Sequence, residues 1–88
     1  MNKEEIERLK NKLITFKDKD VYIEISNSIH FHTTIENAQI IVSNQKLFIT
    51  DGKEKDFIIE LHYLDSLEED GNTTYLNLYN EIRITLDC

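Results

Sequence analysis

The feature that most restricts this chain is a change of hydrophobic period at Val21. Before it, Ile6, Leu9, Leu13 and Phe16 recur at intervals of three, four and three, which aligns them along one side of an α-helix. After it the interval becomes two. Val21, Ile23 and Ile25 alternate with Tyr22, Glu24 and Ser26, as on a strand with one face buried. A helix followed by strands defines an α+β chain, and 88 residues enclose a single core, so one domain is expected over 1–88.

The helix is expected over residues 3–17. Asn2 stands in N-cap position with Glu5 three residues on, a capping box. Glu4, Glu5 and Glu7 suit the positive end of the helix dipole, and Lys12 and Lys17 the negative end. A helix this short does not persist alone in water, so its apolar stripe must dock on a sheet.

Residues 21–87 read as a β-meander. Thirteen isoleucines against one alanine favour a pleated surface. Proline is absent and glycine occurs twice, so turns rely on Asn, Asp and Ser. Turns are expected at Ser26–Asn27–Ser28, Ser43–Asn44–Gln45, Asp51–Asp56 and Asn80. Ile29, Phe31, Thr33 and Ile35 should face inward from the second strand, and His30, His32 and Thr34 outward. Near 57–63, Phe57, Ile59 and Leu61 alternate, so a strand is expected there. A solvated turn should follow, carrying Glu68, Glu69 and Asp70, although Asp56 and Gly71 could also bracket a helix. The expected architecture is about six short antiparallel strands forming a curved sheet or small barrel.

This order, an N-terminal helix and then a meander, resembles the Sm-like small β-barrels. The resemblance covers most of the chain and implies their fold. Two family features are missing: no glycine lies between Val21 and Asp51 to bend the second strand, and no basic or aromatic RNA-contacting loop occurs.

The net charge of −7 is unevenly spread. Residues 1–20 carry six bases and five acids, and residues 21–88 carry four bases and twelve acids. Duplex nucleic acid rewards the opposite balance, so direct binding to it is not expected, and a basic protein partner is. In size and charge the chain is similar to phage anti-CRISPR and toxin-immunity proteins. That resemblance implies a non-catalytic inhibitor or regulator that occludes a basic, nucleic-acid-handling protein. The residues expected to touch it are Tyr63, Asp65, Glu68, Glu69, Asp70, Tyr75 and Tyr79, which join rigid phenol rings to acid side chains.

Two other readings compete. Strand edges without proline suit a self-associating Sm-like small-barrel scaffold, whose edges pair into a homodimer or ring. His30 and His32, sharing one strand face, could hold a metal ion if His62 or Glu24 completed the ligand set. The same alternation makes them ordinary outward-facing residues. No cofactor or enzyme activity is expected: Ser26, Ser28, Ser43 and Ser66 sit in turn-like contexts without a paired base, and no phosphate-cradling loop is present. Cys88 stands alone, no N-terminal run resembles a signal peptide, and no apolar run exceeds three residues, so a cytoplasmic protein without membrane spans is expected.

Overall fold

In a computed structural model, residues 3–27, 30–43 and 45–88 are described. The expected N-cap Asn2, the turn residues Ser28 and Asn44, and Ile29 lie outside them. Helix α1 spans Lys3–Leu13, and one 3₁₀ turn, Ile14–Phe16, follows. The helix therefore stops short of residue 17. The tighter turn rotates Phe16 into the core while leaving Ile14 70% exposed. Ile6, Leu9, Leu13 and Phe16 are all buried, as their spacing demands.

Eight strands follow among the described residues: β1 (Val21–Ser26), β2 (His30–Ile35), β3 (Gln39–Val42), β4 (Lys46–Thr50), β5 (Asp56–Glu60), β6 (Leu64–Asp70), β7 (Thr73–Leu78) and β8 (Arg83–Asp87). They form two antiparallel sheets, five strands in the order β2-β1-β8-β7-β6 and three in the order β3-β4-β5. The described strands do not close into a barrel. The inner faces of both sheets and the helix stripe share one core, with Leu9, Ile23, Leu47, Leu76 and Leu86 fully enclosed.

The acidic segment differs most from the sequence expectation. The strand at 57–63 ends at Glu60, and residues 61–63 make a 3₁₀ turn. That turn joins the sheets: the Leu61 N–H donates to Gln45 O beside β4 (2.8 Å), and Tyr63 O accepts from the Tyr79 N–H beyond β7 (3.0 Å). The expected solvated turn at 68–70 is instead the end of β6, paired with β7 from Leu64↔Leu78 to Asp70↔Thr73. Leu64 and Leu67 lie three apart, which a regular strand would place on opposite faces. The register shift between Leu64 and Ser66 is a bulge that absorbs the extra residue, so both leucines are buried.

The charge asymmetry has a structural counterpart. The basic side of α1 meets the acidic strand β6: Arg8 Nε lies 3.5 Å from Glu69 Oε1, and the Lys12 ammonium donates to Gly71 O in the β6–β7 turn. Among the described residues, no helix is long and apolar enough to cross a membrane.

Candidate functional site: the outer face of the five-stranded sheet

Cross-strand register sets what this face presents. One row runs Glu68–Tyr75–Thr85–Glu24–His32 from β6 to β2. The row on one side is Ser66–Asn77–Arg83–Ser26–His30, and on the other Asp70–Thr73–Asp87–Tyr22–Thr34. None of these side chains belongs to the core. Five strands at the usual spacing give a face about 19 Å wide.

Its side chains hold one another in place. Arg83 donates to Glu68 (2.8 Å) and lies over the Tyr75 ring, 4.1 Å from its centroid. Asn77 donates to the Ser66 hydroxyl (3.1 Å). Near β2, His30 Nε2 lies 2.8 Å from Glu24 Oε2, the Tyr22 hydroxyl donates to the same carboxylate oxygen (3.4 Å), and the Tyr22 ring stacks on His32 at 5.9 Å. Partial burial on the sheet, and then the adjacent Glu24 charge and its hydrogen bond, push the Tyr22 phenol above its ordinary pKa. The face thus carries four carboxylates (Glu24, Glu68, Asp70, Asp87) and one guanidinium, whose charge Glu68 already meets.

The seven expected contact residues are not one surface. Glu68, Asp70 and Tyr75 lie on this face. Glu69 alternates to the other side, where Arg8 holds it. Asp65 is exposed at the bulge. Tyr63 and Tyr79, 48% and 63% exposed, meet through their backbones beyond one end of β6 and β7, with His62 packed against Tyr63 at 4.1 Å. Tyr22, Glu24 and Asp87 join the acidic face instead. Their outward alternation is legible in sequence, but the β1–β8 pairing that puts them beside β7 is not local.

The histidines separate as well. His30 and His32 share β2 with Glu24 beside them, whereas His62 precedes β6 at the opposite edge of the sheet and pairs with Glu60 (3.8 Å). Among the described residues no group of three or more His, Cys, Asp or Glu side chains is placed to hold a metal ion. Two depressions lie away from this face. A groove of about 600 Å³ between α1 and β6 is lined by Lys3, Arg8, Lys12 and Glu69, among others, and one of about 360 Å³ lies at the β4–β5 loop.

In that loop Asp51 Oδ1 accepts the backbone N–H groups of Lys53 (2.8 Å), Glu54 (3.0 Å) and Lys55 (3.0 Å). The Lys53 and Lys55 bonds foremost hold its carboxyl below the ordinary carboxylate range. This is turn chemistry, and it shapes the hairpin.

No family model matches the chain, and no curated protein or solved structure shows significant similarity to it.

Proposed function

We propose that this chain is a non-catalytic binding protein that covers a basic surface of another protein with the outer face of its five-stranded sheet. In this role it is an inhibitor or regulator of that partner, and the acidic face competes with phosphates for the partner's Lys and Arg side chains. The supporting observation is the charge of the three rows: four carboxylates, two tyrosines and a single, already paired arginine. Exposed charges of one sign steer a cationic partner during encounter. The side-chain contacts across the face also reduce the ordering cost of association, because Glu24, Glu68 and Tyr75 are already restrained.

The test begins with a partner isolated from the native host and identified by mass spectrometry. Its association with the wild-type chain is then followed by surface plasmon resonance at several salt concentrations. Glu68→Lys with Asp70→Lys should slow association at least tenfold and flatten its salt dependence, with the far-UV spectrum unchanged. A Glu69→Gln control should associate at the wild-type rate. An acidic partner, or rates indifferent to salt and to the double replacement, would refute this reading.

A further inference from the structure

The three-stranded sheet has an edge unlike the other three. Edge strand β2 carries His30 and His32, β5 carries Asp56 and Glu60, and β6 carries a bulge and four carboxylates. Carboxylates and bulges of this kind protect an edge from pairing with another chain. Strand β3, Gln39–Ile40–Ile41–Val42, has no ionisable side chain and no register shift.

Its open hydrogen-bonding groups follow from the register. The Ser43 N–H donates to Lys46 O (2.9 Å) and the Leu61 N–H to Gln45 O (2.8 Å). Even-numbered residues of β4 therefore bond toward β3 and odd-numbered ones toward β5. On β3, residues 39 and 41 bond to β4, and residues 38, 40 and 42 point their N–H and C=O groups away. Ala38 shows this direction, because its N–H donates to Lys19 O and its O accepts from the Asp18 N–H, both at 2.9 Å. Ile40 and Val42 continue the same edge beyond the reach of that turn.

Apolar surface flanks the edge on both sides. On the outer face Ile41, Phe48 and Ile58 stand in one cross-strand row, with Ile41 60% and Ile58 56% exposed. On the helix side a groove of about 220 Å³ is lined by Ile14, Ile40 and Val42 and rimmed by Lys10 and Lys17.

We propose that a second copy of this chain occupies this edge, its β3 running antiparallel to β3 about a two-fold axis through Ile41. The register is self-complementary. Ile40 meets the second copy's Val42 and Val42 its Ile40, two pairs that exchange four backbone hydrogen bonds. Ile41 meets its own counterpart, so the row Ile58–Phe48–Ile41 continues into the same three residues in reverse order. Charge favours this edge over two of the others: in a chain of net charge −7, pairing through β5 or β6 would set carboxylates against their own copies, and β3 would not. The contact is small, so the dimer exchanges rapidly and forms at micromolar or higher concentration. It leaves the acidic face of the larger sheet free and is independent of the function proposed for that face.

Sedimentation velocity on the full chain, from low micromolar to near-millimolar concentration, tests the proposal. The wild type should shift from monomer to dimer. Ile41→Lys puts a cation at the two-fold axis and should weaken the dimer at least tenfold. Val42→Pro removes an outward N–H that the β3–β4 ladder does not use, and should do the same. Hydrogen exchange of the wild type gives a reading that needs no variant: the Ile40 and Val42 amides should gain protection as concentration rises. A chain monomeric at every concentration overturns the proposal and leaves the edge to a strand of a different protein. So does a dimer that survives both replacements with those amides still exchanging freely.

Discussion

Glu68 and Glu69 are joined by a peptide bond and face opposite sides of β6: Glu68 accepts from Arg83 on the outer face, and Glu69 pairs with Arg8 of the docked helix. A stretch that reads as one acidic run is two separate environments. The double-mutant cycle Arg8→Ala with Glu69→Ala should therefore show a coupling of about 0.2–1 kcal/mol, the range for exposed pairs. The cycle Arg8→Ala with Glu68→Ala should show none. Denaturant unfolding of the six proteins measures both, and equal couplings would contradict the assigned faces.

Helix docking is the second expectation. Leu9 is fully buried beneath α1, and truncation leaves a cavity as well as losing transfer energy. Leu9→Ala should cost about 2–4 kcal/mol in urea unfolding. Deleting residues 1–16 should uncover the inner faces of both sheets and cause aggregation. A truncated chain that stays soluble with an unchanged melting temperature would contradict the shared core.

Thr74 gives a prediction of opposite sign. Its side chain is fully buried on β7 between Glu69 and Leu86, and its hydroxyl finds no hydrogen-bond partner among the described residues. A buried, unpaired hydroxyl is costly, and valine has the same shape without it. Thr74→Val should raise stability by about 1 kcal/mol. A loss of stability would show that the hydroxyl is paired in solution.

Asp51 sets an expectation in acid. Its carboxyl titrates below its ordinary 3.8 in the folded chain, because three backbone N–H groups stabilise the charged form. The unfolded chain therefore binds this proton first as pH falls. The contribution of Asp51 is complete above pH 3.8 and disappears as pH drops through the lower folded value. Asp51→Asn keeps an acceptor oxygen and removes the titration. Its stability should change less between pH 5 and pH 2 than that of the wild type, as measured by thermal unfolding across that range.

Local period accounts for most of what the sequence shows. The α1 stripe, the outward row of Tyr22, Glu24 and Ser26, and the hairpins at Ser43 and Asn80 all depend on neighbours a few residues apart, and the structure has each of them. Strand β6 was hidden for two physical reasons. The bulge after Leu64 replaces the two-residue period with three, and the carboxylates that protect an edge strand have the composition of a solvated turn. The two-sheet arrangement was hidden because it rests on pairings such as Tyr22↔Asp87, which no local pattern encodes. The same non-local pairing decides which of the seven expected contact residues share a face.

The position of β8 between β1 and β7 has a consequence for the order of events during synthesis. The hairpins β1–β2 and β6–β7 leave the ribosome first, each with an unfilled side. The larger sheet becomes continuous only when residues 83–87 arrive, turn back on the neighbouring β7 and pair with β1, made some sixty residues earlier. Contacts of such long range make folding slow relative to a helical chain of equal length. The nascent chain therefore passes through an interval in which the inward-facing edges of β1 and β7 are the sites most open to wrong pairing, and the arrival of β8 is what removes them.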